Sequence, residues 1–258
     1  MPALSALLPR SSSCGSWCAG RTNKADFRLK TIGIIGGMSW ESSAQYYAII
    51  NRAVRDRLGS PHSARILLHS LDFAPIAQLQ ADGEWEELGE AMADSARSLE
   101  AGGADCLLIA TNTMHKLADD VEEASDLPLL HIADSAADAA CAEGLTKMAL
   151  LGTAFTMEQD FYRERLEEHH GLDVIIPEAG DRAEVHRIIY EELIAGEVLD
   201  ASRETYREII ARLVDQGAQG VILGCTEIML LISQSDSPVP VFDTTELHAL
   251  AAVDFALS

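Results

Sequence analysis

A threonine and a cysteine hold the same register position in two imperfect copies of one segment. GGADCLLIATNTMHK begins at Gly102 and QGAQGVILGCTEIML at Gln216. In both, Gly-Ala and two variable residues lead into an apolar strand and a small polar turn. Gly103 to Thr111 spans eight positions, as does Gly217 to Cys225. Thr111 and Cys225 therefore fall just past the carboxyl ends of predicted strands, where α/β sheets bind ligands. Two proton-transfer groups facing each other suit a reaction that attacks one carbon from both sides. Cys225 precedes a predicted helix whose N-terminus would favour the thiolate and lower its pKa. Asn112 and Thr113 offer side chains that bind a carboxylate or an ammonium, or that cap the next helix. His115 and Lys116 follow, and His115 reads as a packed or partly exposed helix residue. Gly36-Gly37-Met38-Ser39 is either a tight strand-to-helix turn or a set of N–H groups facing an anion. It carries neither a dinucleotide fingerprint nor a Walker lysine.

The elements that position these residues alternate in βα fashion. Strands are predicted at about 31–35, 65–71, 104–110, 127–132, 147–151, 174–176, 220–223 and 239–241. Helices are predicted at about 40–58, 84–101, 113–124, from 157, at 183–195 and 201–216, and from 247. Such alternation means parallel sheets. Gly83-Glu84 and Gly196-Glu197 open the helices before the two repeats, and LPLL (127–130) and VPVF (239–242) follow them. The expected fold is α/β, with two pseudo-symmetric domains built on parallel sheets and the active site in the cleft between them. The first domain is expected to take 29–134 plus 239–258, and the second 135–238, with crossings near Ser135 and Val239. Residues 1–28 lack periodicity and are nearly free of acid. They read as a disordered extension ahead of a natural start at Leu29, or as a targeting segment.

Composition narrows the function. The chain has 258 residues, 48% of them hydrophobic, and a net charge of −22. Residues 1–30 carry +4, which leaves −26 on the remainder. That surface would repel nucleic acid. No apolar run approaches the roughly 20 residues of a membrane span. The five cysteines form no disulfide or zinc pattern, which fits a reducing cytoplasm. Cys106 and Cys141 read as small hydrophobes.

From Leu29 onward the chain resembles the aspartate/glutamate racemase family. The resemblance rests on IGIIGGMSWES (32–42), ATNTMHK (110–116), LLGTAFTMEQDFY (150–162) and GCTEI (224–228). With LHIAD (130–134) and PVFDT (240–244), it is closest to the bacterial branch of L-aspartate/glutamate-specific or broad-specificity amino-acid racemases. It implies cofactor-independent, metal-free chemistry on a small amino acid, and a homodimer is the assembly allowed for. It implies Thr111 and Cys225 as the catalytic pair, and Met38, Gln80, Asn112, Thr113, Thr226 and Glu227 as substrate-holding residues. The family's first motif usually opens with Cys, where this chain has Thr111. An Arg and a Lys that family members use on the substrate's side-chain carboxylate align with Ala77 and Ala183, leaving Arg182 as the nearest spare cation. The implied reaction is racemisation of L-aspartate, L-glutamate or a related polar amino acid. Cys225 would act as base on the L-enantiomer and Thr111 as donor on the other face, in a slow enzyme lopsided toward L-substrates. The rivals are hydantoin racemisation, decarboxylation of an arylmalonate-type acid, and a non-catalytic binding protein that kept the cleft.

Overall fold

Strand β1 (Thr31–Gly36) is buried at every residue, as strands covered on both faces by helices must be. The computed structural model describes residues 28–258, and the sequence expectation for 1–27 lies outside them. β1 pairs in parallel with β2 (Arg65–Ser70) and β3 (Cys106–Ile109). A second parallel sheet has the order β5–β4–β6–β7, from β4 (Lys147–Gly152), β5 (Asp173–Ile175), β6 (Gly220–Gly224) and β7 (Val241–Asp243). The repeat read from sequence is a repeat in space. The Leu107 N–H donates to the Pro128 carbonyl and the Val221 N–H to the Pro240 carbonyl, each at 2.9 Å.

Two expectations shift. The strand predicted at 127–132 contracts to one bridge, Leu107 to Leu129. Pro128 has no N–H to donate, and by Ile132 the chain has already turned into a helix whose cap is the His131 side chain. Val241–Asp243, expected in the first domain, supply β7 to the second sheet.

Helices α1 (Trp40–Leu58), α2 (Phe73–Asp82), α3 (Trp85–Ala101) and α4 (Ala118–Ala124) accompany the first sheet. α1 matches its predicted span because Ser39 caps one end and Gly59 ends the other. α2 was not anticipated. Its start carries Pro75, which the first turn tolerates because its N–H would be unpaired there, and Asp72 caps it by accepting from the Ala74 N–H. α5 (Ile132–Ala142) follows, then α6 (Ala154–Glu158) and α7 (Asp160–Glu164), which runs into a π-helical turn. α8 (Ala179–Glu191), α9 (Asp200–Asp215), α10 (Ile228–Leu231) and α11 (Thr244–Leu257) complete the chain.

The two lobes exchange helices. α5 follows the first sheet but packs with Met148, Leu150, Ile222 and Phe242 of the second. α11 follows the second sheet but packs Ala249, Ala252 and Val253 against Ile32 and Ile34 of the first and Tyr46 of α1. The two helices also pack on each other, and Leu247 of α11 joins the core that α5 covers.

Three buried histidines sit at this junction. The His248 Nε2 lies 2.7 Å from the Leu130 carbonyl, which can only accept, so the ring donates there and its Nδ1 accepts from the Tyr46 hydroxyl at 2.8 Å. The His115 ring lies 4.4 Å from that of His131 and 5.7 Å from that of His248, between centroids. Burial holds all three below the ordinary histidine pKa, and that of His248 falls to about 4. The native state thus binds these protons later than the unfolded chain does. Stability they contribute is present above pH 6.5 and is lost as pH falls through that value toward 4, by up to about 1.4 kcal/mol per pH unit for each ring. The midpoint of thermal unfolding should therefore drop between pH 7 and 5, ahead of most carboxylate titration. A flat midpoint over that range would show that the rings are not buried neutral.

Candidate active site

One cavity of about 290 Å³ opens between the lobes, and both Thr111 and Cys225 line it. Thr111 follows β3 of the first sheet, and Cys225 follows β6 of the second. Their equivalence in the repeat places them on opposite sides of the pseudo-symmetric cleft. All six residues implied as substrate-holding also line it: Met38, Gln80, Asn112, Thr113, Thr226 and Glu227.

Local chemistry fixes each. Gly37 has φ +90°, and a Cβ there would meet the Leu71 carbonyl oxygen at 2.2 Å, so the turn after β1 requires glycine. Its N–H donates to Ser43 Oγ at 2.8 Å, so that group is already paired and the turn reading holds for Gly37. Asn112 makes no helix cap. Its Nδ2 reaches across to Thr244 Oγ1 at 3.2 Å, and its buried Oδ1 has no partner. A buried orphan acceptor facing a cavity is a place for a donor such as an ammonium. Thr113 and Thr153 bring their hydroxyls to 3.3 Å of each other across the cleft floor. Gln80, on α2, donates to the Met114 sulfur at 3.0 Å.

The expectation for the Cys225 thiol is reversed. α10 has only four residues and begins at Ile228. The N–H groups of Glu227 and Ile228 do favour the thiolate, but burial and the neighbouring Glu227 carboxylate outweigh them and push the thiol pKa well up. The Sγ–H points at Glu227 Oε2, 3.0 Å away. That same oxygen accepts from Thr226 Oγ1 at 2.7 Å. Oε1 lies within reach of the Ser39 and Ser42 hydroxyls, at 3.2 and 3.1 Å. Glu227 is therefore bound into the thiol's surroundings and ties the start of α1 to the second lobe.

Two site features escaped the sequence reading. Thr153 ends β4 as Gly36-Gly37 ends β1, and that symmetry could have marked it. His115 is buried, and its Nε2 accepts from the Ile132 N–H at 3.2 Å. The proton must then sit on Nδ1, which donates to the Thr111 carbonyl at 2.8 Å. His115 thus positions the backbone of Thr111. Arg182, expected as a spare cation, is engaged by Glu158 Oε1 and the Pro177 carbonyl, both at 2.8 Å.

A family model described as Asp/Glu/Hydantoin racemase matches residues 35–252. The chain belongs to the Asp/Glu/hydantoin racemase family. It is an enzyme of that isomerase class. A proposed Asp/Glu racemase from Yersinia pestis is 53% identical, with 89% of this chain and all of that one aligned at a TM-score of 0.86. An aspartate racemase homologue from Pyrococcus horikoshii OT3 is 35% identical, at 89% and 100% coverage and a TM-score of 0.79. The broad specificity amino-acid racemase RacX of Bacillus subtilis is 22% identical over 88% of this chain and 98% of its own length. Among the described residues, no group of three or more metal-ligating side chains is placed to hold an ion, and no helix is long and apolar enough to cross a membrane.

The thiol's surroundings are testable directly. Cys141 is an exposed free thiol and serves as an internal control. At pH 7, iodoacetamide should label Cys225 more slowly than Cys141, by mass spectrometry. In Glu227→Gln the pH at which Cys225 becomes reactive should fall, because the charge that disfavours the thiolate is gone. An unchanged or higher reactive pH in that variant would contradict the coupling.

Proposed function

We propose that the cleft racemises a free amino acid by moving protons at Cα on opposite faces, with Cys225 and Thr111 as the two groups. The observation that carries this reading is the Sγ–H to Oε2 hydrogen bond between Cys225 and Glu227. The proton passes along it to the carboxylate, leaving a thiolate that removes the Cα proton of the L-enantiomer. The Thr111 hydroxyl then protonates the flattened carbanion from the other side and recovers its proton from water, while Glu227 gives up the proton it took from the thiol to the hydroxide so formed, which closes the cycle. A threonine hydroxyl is far too weak an acid to rest as an alkoxide, so Thr111 serves as a donor and Cys225 as the resident base. The unpartnered Oδ1 of Asn112 is suited to the substrate's ammonium, and the hydroxyls of Thr113 and Thr153 to its carboxylate. The reading calls on no cofactor, and it accords with RacX, named for broad amino-acid specificity.

The lopsidedness expected from sequence needs restating. Enantiomers have equal free energies, so kcat/KM for inversion must be equal in the two directions. A one-thiol site can be asymmetric only in kcat and KM taken separately, or in exchange without inversion.

Variants separate the roles. Cys225→Ser should lower Cα exchange of the L-substrate by about a hundred- to ten-thousandfold, the usual worth of a positioned base. Thr111→Ala should suppress inversion more than exchange, and Thr111→Cys should raise inversion by restoring a thiol to each face. The measurement is chiral chromatography with mass detection in deuterated water. If Thr111→Ala inverts as fast as the unaltered enzyme, Thr111 is not the donor.

A further inference from the structure

We infer that the substrate of this cleft carries a neutral side chain rather than the carboxylate of aspartate or glutamate. The inference rests on the racemase reading above and narrows it. The cleft is lined by the carboxylates Glu41 and Glu227, and among the described residues no Lys, Arg or His lines it. The cations nearby in sequence are committed elsewhere. Arg182 is held by Glu158, and Arg187 by Glu184, Glu191 and Glu192. The Lys116 ammonium sits over the Trp85 ring, 3.8 Å from its centroid. His186 is held neutral by burial and accepts from the Ala154 N–H at 3.1 Å.

The α-carboxylate common to all amino acids already brings one negative charge into this site. A second carboxylate on the side chain would lose water without gaining a cation, and it would meet two acids of its own sign. The apolar part of the lining offers Phe73 from the first lobe and a wall of Ile189, Tyr190 and Ile194 from the second instead. Tyr190 and Ile194 are each 44% exposed, so a side chain laid against them removes apolar surface from water. Burial, with the Glu227 carboxylate nearby, pushes the Tyr190 phenol above its ordinary pKa, so this wall carries no charge near neutral pH. It is a surface for a neutral side chain of medium size.

The test compares kcat/KM for Cα deuterium exchange across a panel, using the full chain. L-methionine, L-leucine and L-phenylalanine represent the neutral class, L-aspartate and L-glutamate the acidic, and L-lysine the basic. The best neutral substrate should exceed both acidic ones by at least about tenfold. A preference for aspartate or glutamate, or for lysine, would overturn the inference while leaving the racemase reading intact. Exchange with no amino acid would overturn both. Ile194→Lys then places a cation on an exposed position of the wall, where it should not disturb folding. It should raise kcat/KM for L-aspartate relative to L-methionine by about tenfold. An unchanged ratio would show that this wall does not select the side chain.

Discussion

In the proposed reaction the buried Cys225 thiol must pass its proton to a neighbour before it can act as a base, and the group placed to take it is Glu227. The contact between Cys225 Sγ and Glu227 Oε2 governs the rest of the site. The carboxylate opposes thiolate formation through its charge, yet it offers the route by which the proton leaves. Its second oxygen is tethered by Ser39 and Ser42, so the thiol's partner on one lobe is held by the start of α1 on the other. Anything that spreads the lobes therefore also disturbs the thiol.

The exchange of α5 and α11 makes such a tether workable. Each helix leaves the lobe whose strands it follows and covers the other, so neither lobe has a complete core alone. The strand ends consequently face one another across a fixed gap. The histidines at the junction extend this to Thr111 on the opposite side of the cleft. The His115 tautomer is dictated by the Ile132 N–H at the head of α5, and the same ring holds the Thr111 carbonyl. Thr111 is thereby positioned by the helix that crosses between lobes, and Cys225 by a carboxylate bound to the facing lobe.

Much of this was legible in the sequence, for identifiable reasons. Parallel strands buried on both faces leave unbroken apolar runs, so β1, β3, β4 and β6 stood out, and the equal spacing in the repeat located Thr111 and Cys225. The ends of α1 were marked by Ser39 and Gly59. Other features depend on partners distant in the chain. Nothing in residues 239–243 says which sheet they join. α2 was obscured by Pro75, although it is the helix that brings Phe73 and Gln80 to the cleft. The thiol pKa was misjudged because a helix start was expected to dominate. The helix is four residues long, and burial, joined by a carboxylate two positions downstream, outweighs it.

The division of labour between one thiol and one hydroxyl is tested most directly by deuterium wash-in from each enantiomer separately, with the unaltered enzyme at early times. A thiol that has exchanged its proton with solvent can return deuterium to the face it came from, whereas a threonine hydroxyl cannot act as a resting base on the other face. Starting from the L-enantiomer, the recovered L pool should gain deuterium faster than the D-enantiomer appears. Starting from the D-enantiomer, the recovered D pool should gain none ahead of inversion. Equal wash-in into both starting pools would mean that each face has its own competent base, and would contradict the assignment of Cys225 as the only one.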